Sequence, residues 1–369
     1  MTFRITEEQV QLSALVADIL DKHGDARRAY DKGPSRDPEL LTRLAELGLV
    51  GLALDEPLGG GGTFVDEVLV AEQVGRAAAM VPVVGLGITT GVLDALAAPQ
   101  SPEALTVANA LTAGGYVIGA VSASSGFGTG FAVSRDGADW RLTGTADDLL
   151  DGAAADAFVI PVVGEAVEWF LAPRDAPGMT VVDQPSLDPT QRLGAVTAAG
   201  ADVRHLGTTS TATLDDLVQR AWVLLAAQAT GAAGRGLDIT VEYATTRHAF
   251  GQPIGRFQAI KHRTADGLVL LENARSATYN AAWALDEQRA DREMAARMAK
   301  AVATENAVRL LHDAIQSHGG IGFTWEYDLH LLLRRAKSAQ LALGDPDHHF
   351  TALGAAVLAP ALEQVGGTP

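Results

Sequence analysis

The chain has 369 residues, with 28 basic and 45 acidic side chains, a formal net charge of −17 and an apolar content of 47%. That apolar content supplies a full core and excludes a disordered chain, and the length predicts two or three domains. The acidic balance speaks against nucleic acid, and the absence of cysteine excludes disulfides, thiolate catalysis, zinc–sulfur sites and iron–sulfur clusters.

The first residues lack an apolar stretch of the secretory type, so a cytoplasmic protein is expected. Thr6 with Gln9 predicts a capping box that opens a helix. Leu40, Leu41, Leu44, Leu47 and Leu49 form a second apolar stripe stopped by Gly48 and Gly51, and Gly59 to Gly62 read as a loop. Two long uncharged runs follow. Ala77 to Leu93 carries Pro82 and predicts a buried helix with a broken start. Ala104 to Ser134 is interrupted by glycines and reads as buried strands; neither run suits a membrane span. The break Ala98-Pro99-Gln100-Ser101-Pro102 closes the first helical zone.

Short runs then recur about every ten residues between turn signals: Tyr116–Ile118, Phe131–Val133, Phe158–Ile160, Trp169–Leu171 and Thr180–Val182. They predict an antiparallel sandwich or barrel. From Asp215 the chain is again helical. One stripe is Phe257, Ile260, Thr264, Leu268, Leu271 and Ala274; another begins at Met294 and Met298 and runs to Ile315, with both methionines expected in the core. The expected architecture is α+β in three parts: an N-terminal helical domain over 1–110, a middle β-barrel over 111–205 and a C-terminal helical bundle over 206–369.

Two motifs carry chemistry. In Arg247-His248-Ala249-Phe250-Gly251-Gln252-Pro253-Ile254-Gly255-Arg256-Phe257-Gln258, Gly251 and Pro253 force a sharp turn between two helices, leaving a guanidinium and an amide for an outside anion. In Gln316-Ser317-His318-Gly319-Gly320-Ile321-Gly322-Phe323, paired glycines offer backbone amides to phosphate oxygens, although the spacing is not that of a dinucleotide fingerprint. His312, His318, His348 and His349 lack a supporting ligand pattern, and no metal is expected.

Together these motifs, about sixty residues apart, resemble those of the acyl-CoA dehydrogenase family. Leu44-Ala45-Glu46-Leu47-Gly48-Leu49 with Pro57-Leu58-Gly59-Gly60, Arg174-Asp175-Ala176-Pro177-Gly178, and Trp325–His330 with Arg334-Arg335-Ala336 extend the likeness along the chain. The resemblance implies a helical domain, a β-barrel and a four-helix bundle. It also implies FAD-dependent α,β-desaturation of an acyl-CoA thioester, with an electron-transfer acceptor as a further partner. It implies that Arg247, Phe250, Gln258, Gln316, Gly319 and Gly320 reach across a dimer interface to the adenosine pyrophosphate of a neighbour's FAD.

The departures carry as much information. The two positions that the family gives to its catalytic glutamate correspond by counting to Ala221, followed by Trp222, and to Leu343, before Gly344. Neither accepts a proton, so no catalytic residue is assigned. The family's Trp-Ile-Thr beside the isoalloxazine corresponds to Asp148-Leu149-Leu150, where an anion would oppose flavin reduction. Its Thr-Glu-Pro and Gly-Ser-Asp elements correspond to Val121–Gly128. This split pattern resembles the actinobacterial heteromeric (α2β2) members that act on steroid side-chain CoA thioesters. It implies a homologous partner subunit that carries the glutamate. Two other readings stay open: a self-sufficient enzyme with a relocated base such as Asp345 or Asp216, and a scaffold without cofactor.

Overall fold

In a computed structural model, the described residues are 4–32, 36–56, 58–97, 101–127, 130–137 and 139–366. Pro57, Ala98, Pro99, Gln100 and Gly128, used in the sequence reading, lie outside them. Six helices come first: α1 (Glu7–His23), α2 (Arg27–Lys32), α3 (Pro38–Glu46), α4 (Phe64–Ala77), α5 (Val83–Ala95) and α6 (Pro102–Thr112). The capping box on α1 is formed as expected, with Thr6 and Gln9 each bonding the other's backbone amide. α5 starts after Pro82 and is almost wholly buried. The stripe in α3 departs from expectation at Leu47. The helix ends at Glu46 and Gly48 turns the backbone at φ +69°, leaving Leu47 51% exposed while Leu40, Leu41 and Leu44 are buried. The uncharged run expected to be strands opens instead as α6, because Ser101 caps Ala104 and Pro102 fits the first turn.

Seven strands form the middle segment: β1 (Val117–Gly119), β2 (Ala132–Asp136), β3 (Asp139–Leu149), β4 (Ala157–Val163), β5 (Val167–Pro173), β6 (Met179–Gln184) and β7 (Leu193–Thr209). Their order is β1-β4-β5-β7-β3-β2, with β6 on β7. The sheet is mixed rather than all antiparallel, because β1 pairs with β4 in parallel. The chain beyond β1 then bonds back to β3, Leu150 N to Val121 O and Ala123 N to Asp148 O, which curls the sheet round on itself. β3 and β7, the longest strands, escaped the sequence reading because their exposed positions are, Ala199 apart, Thr, Asp and Arg, which break up any apolar run.

The bundle follows as α7 (Ala212–Thr246), a two-residue hairpin β8 (His248–Ala249) and β9 (Gln252–Pro253), α8 (Gln258–Asp286), α9 (Arg292–His318), α10 (Leu329–Leu341) and α11 (Pro346–Gly366). The buried face of α8 is Gly267, Leu271, Ala274, Thr278 and Ala281, so Leu268 of the expected stripe points outward at 50% exposure. Met294 and Met298 are likewise exposed, not core. Ala295, Ala296 and Ala299 take the inner face of α9 and hold the helices close. No helix among the described residues is long and apolar enough to cross a membrane.

Backbone proximity joins the first helices to the bundle. α4 crosses α7 at Gly75 and Gly231; a Cβ would fall 2.1 Å from Gln228 O at the first and 1.8 Å from Glu72 O at the second. Asp286, at the end of α8, caps α4 by accepting from Phe64 N and Val65 N at 2.8 and 3.0 Å. Arg335 of α10 is fully buried where three segments meet. It donates to Asp188 Oδ2 (2.5 Å) and to Thr190 Oγ1 in the β6–β7 loop, to Gln228 Oε1 of α7 (2.9 Å), and to Ala79 O after α4 (2.9 Å). Breaking a buried pair from one side strands the other charge, at about 3–5 kcal/mol. Arg335→Met should therefore lower unfolding free energy by about that amount in denaturant titration, whereas Arg297→Met, at a partly exposed pair, should cost far less.

Candidate functional site

The first motif turns where α7 runs out. Arg247 is its C-cap, with Arg247 N bonded to Tyr243 O, and Ile254 N returns to Arg247 O at 2.8 Å. Between them the hairpin has both central residues in the left-handed region, Phe250 at φ 52° and Gly251 at φ 78°. Glycine takes that conformation freely, whereas an aromatic residue is strained in it. Phe250 is nevertheless 95% exposed, meeting the edge of Phe257 at a centroid distance of 6.1 Å. Arg247 and Gln258, the first residue of α8, are exposed beside it.

The second motif lies at the end of α9. Gln316, Gly319 and Gly320 are exposed; Gly319 has φ 69° and ψ −145°, a glycine conformation, and a Cβ on either glycine would meet nothing within 4 Å. The structure links the two motifs directly. The Tyr243 ring, one turn before Arg247, stacks on the His318 ring at 4.2 Å and 17°. Six residues expected to form the site thus lie on two segments locked to each other at one end of the bundle, all with open surface.

The positions read as departures lie elsewhere: those that correspond to the base are buried, whereas Asp148 is half-buried and Ser124 and Ser125 are exposed. Ala221 is fully buried in α7, and Trp222 and Leu343 are nearly so. Leu343 (φ 57°) donates its amide to Ala123 O across the gap to the sheet, at 2.6 Å. Its carbonyl accepts from Trp222 Nε1 at 3.0 Å and from His349 Nε2 at 3.1 Å. A carbonyl only accepts, so Nε2 of His349 carries the proton. Burial and the neighbouring Lys300 charge pull the His349 imidazole down to about 3, which keeps it neutral. Lys300, buried on α9, spans Gln340 O (3.1 Å) and Gly344 O (2.8 Å), and burial pulls its ammonium down to about 7. Asp148 (φ 48°) does not stand free: its carboxylate accepts from Ser122 Oγ at 2.5 Å and Ser124 N at 3.1 Å, and Gln184 holds its amide.

The relocated-base candidates have other partners. Asp345 is exposed and caps α11 through His348 N at 2.9 Å. Asp216 is paired with Arg292 at 3.1 Å. Neither joins the exposed corner.

Models of the acyl-CoA dehydrogenase N-terminal and C-terminal domains match residues 6–103 and 217–358. The acyl-CoA dehydrogenase IpdE2 of Mycobacterium tuberculosis is 34% identical over 351 residues, 92% of this chain and 94% of the relative. The chain belongs to the acyl-CoA dehydrogenase family. Members of that family are oxidoreductases acting on CH–CH bonds. Among solved structures, the ChsE4–ChsE5 complex from Mycobacterium tuberculosis superposes with a TM-score of 0.83 at 28% identity, covering 100% of both chains. A variant of the Tcur3481–Tcur3483 steroid acyl-CoA dehydrogenase gives 0.83 at 27%, covering 97% of this chain and 100% of that one.

Sequence reasoning did not single out Lys300 or the Tyr243–His318 stack, and it weighed His318 and His349 only as metal ligands. Lys300 left one signal: it shares a helical face with Ala296, Ala303 and Ala307, all buried, where a lysine is out of place. In the acyl-CoA dehydrogenase chain its proton is held less tightly than the ordinary value of 10.5. Between pH about 7 and 10.5 the unfolded chain therefore binds more protons, and stability rises with pH across that window. Lys300→Met should flatten that rise, followed as denaturation midpoints at pH 7, 8.5 and 10.

Proposed function

We propose that this chain is a subunit of an FAD-dependent acyl-CoA dehydrogenase that lacks its own catalytic base and completes the FAD site of a homologous, glutamate-bearing partner. The partnership is read as α2β2, and the substrate as an acyl-CoA, with steroid side-chain thioesters the class that the Tcur3481–Tcur3483 relative suggests. The observation that carries the reading is the contrast between base positions filled by buried side chains that take no proton and an open corner. Where the resemblance puts an isoalloxazine and a base, Leu343 is bonded to Ala123 and to Trp222, and Asp148 is spent on the serine loop. An aliphatic Leu343 takes no proton, and the Asp148 carboxylate would oppose the negative charge a flavin gains on reduction. The corner does fit an adenosine pyrophosphate: it offers a guanidinium, two amides and two glycines with open faces.

When bound, FAD supplies the acceptor for the β-hydrogen leaving as hydride. The residues of this chain only bind and orient. Arg247 meets phosphate charge, Gln258 and Gln316 give directional hydrogen bonds, Gly319 and Gly320 allow close backbone approach, and the bare Phe250 ring packs against the neighbour. The electron acceptor belongs with the partner's flavin. Division at about residues 110 and 205 keeps the corner wholly within the C-terminal part.

The test is to express the chain alone and together with a glutamate-bearing family member, and to assay dye reduction with a panel of acyl-CoA thioesters. A positioned base contributes about 10²–10⁴-fold, so the chain alone should be nearly silent and the pair active. A charge-assisted bond to phosphate contributes about 1.5–3 kcal/mol, so Arg247→Ala should weaken flavin retention by the complex roughly 10- to 100-fold. Asp345→Asn should leave turnover unchanged. Brisk turnover by the chain alone, lost in Asp345→Asn, would make it self-sufficient instead.

A further inference from the structure

The open corner is built from two helix ends, and helix ends fray because their last carbonyls lack partners. A phosphate clamp assembled from such ends needs something that fixes one against the other. Three rings occupy that place. Tyr243, in the last turn of α7, stacks on His318, the last residue of α9, at 4.2 Å and 17°. Tyr327, in the loop before α10, meets both edge-on, at 5.6 Å from Tyr243 and 5.0 Å from His318. Below His318, Gly322 packs so tightly that a Cβ would lie 3.1 Å from His318 Cβ and 2.9 Å from Ile315 O.

We infer that His318 is a positioning residue of the clamp: its ring, held between Tyr243 and Tyr327, sets Arg247 and the Gly319–Gly320 amides in one fixed arrangement.

The connection runs through short covalent and hydrogen-bonded links. Tyr243 O holds the amide of Arg247, and His318 is bonded directly to Gly319, so a shift in the stack moves both halves. The imidazole acts as a ring and not as an acid or base. Its Nδ1 is on Ala314 O at 2.8 Å, which puts the proton there, and its Nε2 is buried with no partner. Burial lowers its proton affinity, so it stays neutral and stacks as an uncharged aromatic. A buried acceptor without a partner is costly and contributes nothing to a clamp, which leaves ring shape as the property the site uses.

The inference rests on the reading of the corner as an FAD clamp, and the experiment separates the two. The complex of this chain with its glutamate-bearing partner is prepared with wild type, His318→Ala, His318→Phe, Tyr327→Ala and Arg247→Ala, and FAD retained per complex is measured on dilution. Assembly is checked in parallel by sedimentation. Losing the ring contacts should weaken retention roughly tenfold in His318→Ala and less in Tyr327→Ala, with the complex intact. His318→Phe should restore wild-type retention, which a loss of general stability would not explain. Wild-type retention in His318→Ala, or failure of His318→Phe to rescue, overturns the positioning role. Wild-type retention in Arg247→Ala overturns the clamp reading itself.

Discussion

The guanidinium of Arg335 holds together segments that are distant in sequence. It reaches the β6–β7 loop at Asp188 and Thr190, α7 at Gln228 and the chain after α4 at Ala79, and it is fully buried. A planar cation with five donors suits such a junction, since each edge can serve a different segment; a lysine could not span them. Burying the charge is tolerable because Asp188 neutralises it and Thr190, Gln228 and Ala79 accept its other hydrogens. The Leu343 amide, bonded to Ala123 O, is a second tie between the middle segment and the bundle.

Close helix packing sets the second constraint. Gly75 and Gly231 let α4 and α7 cross at backbone contact, Gly236 admits Leu311 of α9, and alanines line the inner faces. Buried acids tie the same helices sideways: Glu67 to Arg220 at 2.7 Å, and Glu72 to Arg275 and the Tyr279 hydroxyl. With small residues inside, larger apolar side chains such as Leu268, Val269, Met294 and Met298 are turned outward.

The chain thereby divides its chemistry in space. In its interior, polar groups are spent on one another: the Leu343 carbonyl takes two donors and Lys300 takes two carbonyls, and nearer the surface Asp148 takes a hydroxyl and an amide. At the end of the bundle, Arg247, Gln258, Gln316 and the paired glycines stay open.

Much of this was legible in the sequence. The capping box of α1, the broken start of α5, the turn between α7 and α8 and five of the strands follow from local rules of capping, proline, glycine and β-branching. The two motifs are local too, because each is a run whose turn residues fix its own geometry. Some misread positions were local, Leu47 at the Gly48 turn and α6 at its Ser101 cap and Pro102; the others depended on distant neighbours. Leu268 and the two methionines were apolar at helical spacing, yet which side of a helix faces inward is settled by what packs there, and small residues had taken the inner face. The polar strands β3 and β7 form because their partners on both sides supply the ladder, not because their side chains favour it. The buried contacts around Leu343 required Ala123, Trp222, Lys300 and the Leu343–His349 segment, four separate stretches. The sequence alone determined that Ala221 and Leu343 cannot accept a proton. Only the tertiary structure decided that their surroundings are sealed, because hydrogen bonds between remote segments have no signature in the order of the residues.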